Sequence, residues 1–118
     1  MDGYSNEELV GKVIEILEKL MGALKENRDK WGEELGQAYE RVKGTREERK
    51  IKDIVWSDNG YKYWEGNLGT RLKHVKKTGE IEAWEGGNII EKGLWIVEEQ
   101  KKDINEHRMM VGKIVQDF

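Results

Sequence analysis

Apolar residues recur every seven positions through the first third of the chain, as they do along one face of an α-helix. One heptad position holds Val10, Leu17, Leu24, Trp31 and Ala38. The position four residues later in each heptad holds Ile14, Met21, Arg28, Leu35 and Val42, and only Arg28 interrupts this stripe. The pattern predicts one amphipathic helix over about residues 6–43, with a Ser5 to Glu8 capping box at its start and Gly44 as its stop.

Such a helix would be about 57 Å long at 1.5 Å per residue. A compact domain of 118 residues is narrower than that, so the helix must be broken, flanked by another long helix or paired with a second chain. Glycines at positions 32 and 36 lower the helix propensity locally and leave a break near residues 27–32 open.

The last third of the chain carries a second apolar stripe. One heptad position holds Ile90, Val97, Ile104, Val111 and Phe118. The stripe predicts a second long helix over about residues 89–117, with Asn88 and Glu91 as its cap. Asp103 and Glu106 also have the spacing of a capping box, so a restart of the helix at that point stays open.

The middle of the chain gives weaker signals. Thr45 and Glu48 have capping-box spacing and predict a short helix over about residues 46–57. Asn59-Gly60 between aromatic residues is typical of a β-hairpin, but the cap upstream favours Gly60 as a helix terminator with positive φ. Residues 70–79 then form either a short helix or the first arm of a hairpin with residues 80–84.

These patterns together favour an all-α fold in which two long amphipathic helices pack with shorter helices and Gly-rich connections. The prediction is a single helical domain over residues 1–118, a length that suits one core. The alternative is an α+β fold with a small antiparallel hairpin within residues 61–85.

Composition narrows the chemistry. The chain has no cysteine, which excludes disulfides, thiolate metal sites and cysteine nucleophiles. Its N-terminal residues do not resemble a signal peptide, and no window approaches the roughly 20 apolar residues that span a bilayer. We therefore expect a soluble, cytoplasmic protein with no membrane partner.

Catalytic and cofactor motifs are absent from the sequence. It contains no nucleophile elbow, phosphate-binding loop or metalloprotease motif, and two histidines are its only near-neutral acid-base groups. Glu99, Asp103 and His107 are four residues apart and would share a helix face, where they are either metal ligands or a solvated charged stripe. The second interpretation is the more usual, so we expect a non-enzymatic protein without metal or cofactor.

The net charge of −3 is unevenly distributed along the chain. Residues 41–77 have 11 basic and 5 acidic side chains, whereas the segments before and after carry net charges of −5 and −4. A basic segment with aromatic residues is typical of surfaces that bind single-stranded nucleic acid, although it can equally steer self-association. The nucleic-acid candidates are Arg46, Arg49, Lys50, Lys52, Tyr61, Tyr63, Trp64, Arg71, Lys73, Lys76 and Lys77.

A GxxG tetrapeptide occupies residues 66–69, and Thr78-Gly79 follows it after a helix-like apolar spacing. These roughly 16 residues resemble the core of a KH domain, in which a GxxG loop clamps the nucleic-acid backbone. The resemblance implies a loop at residues 66–69. The sequence departs from the family pattern because the loop interior has no basic residue and Glu65 stands where an aliphatic residue is usual.

The extended apolar stripes favour an interaction or assembly module, because a single small domain has difficulty covering them. A homo-oligomer or a protein partner would supply the missing surface. The candidate contact positions are Val10, Leu17, Leu24, Trp31, Ile90, Val97, Ile104 and Val111, each of which has core within the chain as its alternative role. Nucleic-acid binding through residues 41–77 is the second hypothesis.

Overall fold

The computed structural model describes residues 5–54, 56 and 58–116, and every regular element among them is helical. Four helices follow one another: α1 (Asn6–Val42), α2 (Glu47–Lys52), α3 (Asp58–Thr78) and α4 (Ala83–Gln116). The all-α prediction is confirmed. The alternative hairpin does not form, because residues 61–85 belong to α3, to α4 and to the short connection between them.

The helices form an elongated bundle that measures 60 × 23 × 16 Å. Helix α4 runs parallel to α1, since Gly86 lies beside Val13 and Arg108, further along α4, pairs with Glu34. Helix α3 runs antiparallel to both and covers the first half of this pair. The short α2 packs on α1 and α4 at the other end.

Helix α1 is continuous over 37 residues, and the break near residues 27–32 does not occur. Its start follows the sequence signal, because the Ser5 hydroxyl accepts a hydrogen bond of 3.2 Å from the amide of Glu8. Its end follows the predicted stop, because Gly44 has a φ of 81°, which glycine adopts without the steric cost of a side chain. Local signals therefore set both ends of this helix.

Arg28, which interrupts the apolar stripe of α1, anchors the start of α3. Its guanidinium donates a hydrogen bond of 2.9 Å to Glu65 and lies 3.9 Å from the carboxylate of Asp58. The arginine side chain is only 19% exposed, so this ion pair is better shielded from solvent than a surface pair. The charged residue within the apolar stripe, Arg28, therefore lies where the start of α3 packs on α1.

The predicted helix end at Gly60 is wrong. Gly60 lies in the first turn of α3, and the positive φ values among the described glycines belong to Gly44 and Gly79. The predicted helix over residues 46–57 is reduced to α2, and the one predicted over residues 70–79 is the last part of α3. Contacts with Arg28 and other residues of α1 stabilise α3. The helix therefore continues through glycines that, by local helix propensity alone, would favour a helix end.

Helix α4 begins at Ala83, six residues before the predicted start, and it runs on past Asp103 without a restart. Two of its glycines lie where it crosses α1 closely. A methyl group built on Gly93 would lie 2.5 Å from Cδ1 of Leu20, and one on Gly86 would lie 3.1 Å from Cγ2 of Val13. Both glycines lie inside α4, and their lack of a side chain allows α4 to approach α1 closely. Phe118, the last member of the stripe, lies outside the described residues.

Among the described residues, two apolar clusters make up most of the core. The larger cluster joins α1, α3 and α4 through Leu9, Val13, Leu17, Leu20, Leu24, Leu68, Ile96 and Val97. The smaller joins the end of α1 to α2 and the residues after it through Ala38, Val42, Ile51 and Ile54. Each cluster is buried within the chain, which gives the long stripes an intramolecular role.

One buried polar side chain links α4 to α1. Gln100 is fully buried, and its amide donates a hydrogen bond of 3.0 Å to the carbonyl oxygen of Leu24. The side-chain oxygen of Gln100 accepts a bond of 3.1 Å from the side-chain amide Nδ2 of Asn27. These bonds satisfy the buried amide and fix the register of the two long helices. None of the helices among the described residues has the length and apolar content that crossing a membrane requires.

Candidate functional site

A groove runs between α3 and α4, which both pack on α1 but meet each other at few points. It contains two adjoining cavities of about 460 Å³ and 260 Å³. Trp64 and Ile96 line both cavities, so the two are successive parts of one groove. On α4 the groove extends from Trp84 to Asp103, a distance of about 28 Å at 1.5 Å per helical residue.

The larger cavity, which we call the first cavity, has an apolar floor and a polar rim. Leu68 and Ile96 are buried beneath it, and Trp84 stands at its edge with 66% of its surface exposed. On the rim, Arg71 of α3 donates to Glu85 of α4 at 3.0 Å and so bridges the two helices at the surface. An apolar floor with a few polar groups at the edge is typical of a binding surface.

Trp64 forms the boundary between the two cavities. The ammonium of Lys92 lies 4.5 Å from the centroid of its ring, within the range of a cation–π contact. Tyr63 meets the same ring edge to face, with centroids 5.9 Å apart. The indole therefore lies between a cation from α4 and an aromatic neighbour from its own helix.

The smaller cavity, which we call the second cavity, combines aromatic rings with carboxylates. It is lined by Gly60, Tyr61, Trp64, Trp95, Ile96, Glu99 and Asp103. The Tyr61 hydroxyl donates a hydrogen bond to the carboxylate of Asp103, and Trp56 stacks on the Tyr61 ring at 5.7 Å. The bond between Tyr61 and Asp103 joins the start of α3 to α4, and the stack of Trp56 covers one face of the Tyr61 ring.

The pKa of Tyr61 is raised well above the ordinary tyrosine value of about 10. Burial is the largest cause, followed by the hydrogen bond to Asp103 and by the negative charges of Asp103 and Glu99. The folded chain holds the phenolic proton more tightly than the unfolded chain, so this stabilisation is complete below about pH 10 and is lost as the pH rises further.

The pKa of Tyr39 is also raised, chiefly by its hydrogen bond to Glu48. We therefore expect an ultraviolet titration to show two phenols that ionise later than an ordinary tyrosine, and Tyr61→Phe should remove one of these late steps. We also expect Tyr61→Phe to make stability less dependent on pH in the alkaline range. If the phenol that Tyr61→Phe removes ionises at the pH of an ordinary tyrosine, the raised pKa of Tyr61 is contradicted.

Most of the predicted contact positions lie inside the molecule. Six of the eight are buried within the chain: Val10, Leu17, Leu24, Trp31, Val97 and Ile104. Ile90 and Val111 are partly buried and pack against the larger and the smaller core cluster respectively. In the single chain these residues form core, the alternative that the sequence left open, and they offer no continuous surface to a partner.

The basic candidates are divided between the two ends of the bundle. Arg46, Arg49, Lys50 and Lys52 belong to α2 or precede it, and α2 lies beside Tyr39 of α1. Lys76, near the end of α3, pairs instead with Glu18 of α1 at 3.0 Å. Residues 18 and 39 are separated by about 32 Å along α1, several times the screening length of about 8 Å at physiological salt.

Several of these side chains already have partners in the chain. Lys50 pairs with Glu47, Arg71 with Glu85 and Lys76 with Glu18. Of the aromatic candidates, Tyr61 bonds Asp103 and Trp64 contacts Lys92, whereas Tyr63 is 66% exposed. The structure therefore does not gather the basic and aromatic candidates into one surface. Lys52 lies near the Tyr39 ring, and Lys73 faces a shallow depression between α1 and α3.

The loop implied by the KH resemblance does not exist, because residues 66–69 lie inside α3. A methyl group built on Gly69 would lie 3.3 Å from Cε of Met21, so this glycine serves the contact between α3 and α1. The stripe of Glu99, Asp103 and His107 does occupy one helix, but the described part of the chain contains no group of three acidic or histidine side chains arranged to hold a metal. His107 instead places Nδ1 2.6 Å from the carbonyl oxygen of Asp103.

Sequence reasoning missed Trp84 and Trp95, which are 66% and 59% exposed on α4. A signal for Trp95 was present, because it lies in a predicted helix but outside the apolar stripe. A large aromatic side chain on the polar face of a helix is a candidate contact residue. Trp84 lay before the predicted start of that helix and carried no such signal.

No family model matches this chain. Neither the curated proteins nor the solved structures contain a significant match to it.

Proposed function

We propose that this chain is a non-enzymatic interaction module that binds a segment of another protein in the groove between α3 and α4. The observation that carries the proposal is the groove of two adjoining cavities, with an apolar floor in the first and with Trp84 and Trp95 exposed along it. Tryptophan is one of the residue types enriched among the side chains that anchor a protein partner. The absence of catalytic motifs from the sequence supports a binding role over an enzymatic one.

The dimensions of the groove favour a helical occupant. Its length of about 28 Å corresponds to about five turns of α-helix. An amphipathic helix places apolar side chains into such a groove at spacings of three and four residues. The floor formed by Leu68, Ile89 and Ile96 would receive those side chains.

The two ends of the groove differ in charge. Arg71 and Lys92 outnumber Glu85 at the first cavity, whereas Glu99 and Asp103 line the second cavity without a basic residue. A complementary segment carries acidic residues at one end and basic residues at the other. A second copy of the chain fits less well, because a two-fold dimer places the same concave surface against itself.

The test is a peptide library displayed on phage, selected on the wild-type chain and counter-selected on a Trp84→Ala/Trp95→Ala variant. Enriched peptides should share an apolar spacing of three and four residues. Synthetic versions should bind the wild-type chain and lose roughly tenfold or more in affinity for the double variant.

The control is Met109→Ala/Met110→Ala, which removes two similarly exposed apolar side chains elsewhere on α4. It should bind the peptides as the wild-type chain does. The proposal is overturned if no peptide is enriched, or if the selected peptides bind the tryptophan variant and the methionine variant equally well. A dimer of the chain that dissociates in the tryptophan variant would identify a second copy as the occupant.

Binding of single-stranded nucleic acid is the second candidate, and one observation favours it. Tyr63 is largely exposed on α3, and Lys73 and Lys77 of that helix form no ion pair with the described residues. An exposed ring can stack on a base, and cations further along the same helix can contact the phosphates. Salt-sensitive binding of labelled RNA that weakens in Lys73→Gln/Lys77→Gln would favour this function over the first.

A further inference from the structure

The second cavity has the composition of a cation site. Three aromatic side chains, Tyr61, Trp64 and Trp95, line an open cavity of about 260 Å³ together with two carboxylates. Aromatic faces attract cations through the negative potential above the ring, and a carboxylate adds direct charge attraction. A volume of this size exceeds the roughly 30 Å³ that a water molecule takes in the liquid, so it has room for an alkylammonium head.

The two carboxylates of the cavity are not neutralised by a cation among its lining residues. Asp103 accepts the hydrogen bond of the Tyr61 hydroxyl, which leaves its negative charge in place. Glu99 is half-buried and forms no hydrogen bond or ion pair with the described residues. Its carboxylate therefore has acceptor positions for a donor that enters from the groove.

The structure also provides an example of the interaction within the chain. The ammonium of Lys92, which lines the first cavity, already lies 4.5 Å from the ring centroid of Trp64. This indole is thus placed where a primary ammonium is favoured. Burial, then the hydrogen bond to Asp103, and last the negative charges of Asp103 and Glu99 raise the pKa of the neighbouring Tyr61 phenol.

We propose that the second cavity binds a primary alkylammonium group, the head of a lysine side chain, with Glu99 accepting its hydrogen bonds. The three aromatic side chains contact the remaining methylenes and the charge. That the ammonium belongs to a lysine side chain rests on the proposed function, in which a protein segment occupies the groove. The preference of the cavity for an ammonium rests on the residues that line the cavity.

The experiment uses n-butylammonium, a mimic of the lysine side chain, and 1-butanol, its neutral counterpart. Two-dimensional NMR follows the indole N–H signals of Trp64 and Trp95, assigned with the Trp64→Phe and Trp95→Phe variants. Butylammonium should shift both signals to saturation, and 1-butanol should bind roughly tenfold more weakly, because it lacks the charge.

The variant is Glu99→Gln, which keeps the shape of the side chain and removes its charge. It should weaken butylammonium binding roughly tenfold. The matched control is Glu91→Gln, which makes the same change at an exposed position of α4 outside the cavity and should bind as the wild-type chain does. The comparison of butylammonium with butanol on the wild-type chain tests the proposal even if a variant fails to fold.

The two proposals fail in different ways. Equal shifts with butylammonium and 1-butanol, or none with either, would overturn the ammonium site while selected peptides continue to support the groove. Saturable butylammonium binding that depends on Glu99 supports the site even where the peptide selection yields nothing. Equal losses in Glu99→Gln and Glu91→Gln would show a general charge effect and also overturn the site.

Discussion

Trp31→Ala should lower the free energy of unfolding by about 3–5 kcal/mol, the cost of removing a large aromatic side chain from a core. Trp31 is 1% exposed on the face of α1 that meets α4, where its ring lies 6.3 Å from that of His107. The cavity left by alanine lies between two long helices that α3 and α2 hold in place, so the site cannot collapse fully. Chemical denaturation followed by circular dichroism measures the loss.

Two controls separate burial from residue type. Trp31→Phe should cost much less than alanine, because phenylalanine keeps an aromatic ring in the core and leaves a smaller cavity. It also removes Nε1, which is buried without a hydrogen-bond partner. Trp84→Ala removes an exposed tryptophan and should change stability by no more than about 0.5 kcal/mol. A loss in Trp31→Ala no larger than that in Trp84→Ala would contradict the buried position of this ring.

Gly93→Val should lower the free energy of unfolding by about 1–3 kcal/mol, the usual cost of overfilling a core. Even a methyl group at this position would lie 2.5 Å from Cδ1 of Leu20, and Leu68 is close on the other side. The added atoms must push α4 away from α1 or force Leu20 out of its buried position. Either change reduces the contact that joins the two long helices.

Gly87→Val is the matched control, six residues earlier on the same helix. A Cβ at Gly87 meets no atom within 4 Å, so valine adds no clash there and gains a few tenths of a kcal/mol in helix propensity. The double variant Leu20→Ala/Gly93→Val should cost less than the sum of its single changes, because alanine makes room for the valine. If Gly93→Val and Gly87→Val shift stability equally, the close crossing of α1 and α4 is not the reason for Gly93.

The bounds of α1 were predictable because they depend on neighbours in sequence. The cap at Ser5, the heptad stripe and the positive φ of Gly44 each act within one or two turns. The middle of the chain was not predictable in the same way. Gly60 lies in a helix because α3 packs on α1 and Arg28 holds its first turns through Glu65, a residue 37 positions away.

The candidate site illustrates the same limit. The aromatic residues of α3 were identified from the sequence, but the tryptophans of α4 that complete the groove were not. Trp64 and Trp95 lie 31 positions apart, and their approach depends on the antiparallel packing of α3 and α4 against α1. Glu99 and Asp103 were recognised as one helix face, but the aromatic side chains around them come from another helix.

The sequence by itself determined the all-α class, the extent of the first helix and the two long apolar stripes, because periodicity and caps are local properties of a chain. Tertiary structure decided that the stripes meet each other within one molecule, that glycines at positions 60, 69, 86 and 93 lie inside helices, and that α3 and α4 leave a groove open. A glycine costs about 1 kcal/mol relative to alanine in a helix wherever it occurs. Whether close contact with a neighbouring helix offsets that cost depends on residues that are distant in the sequence.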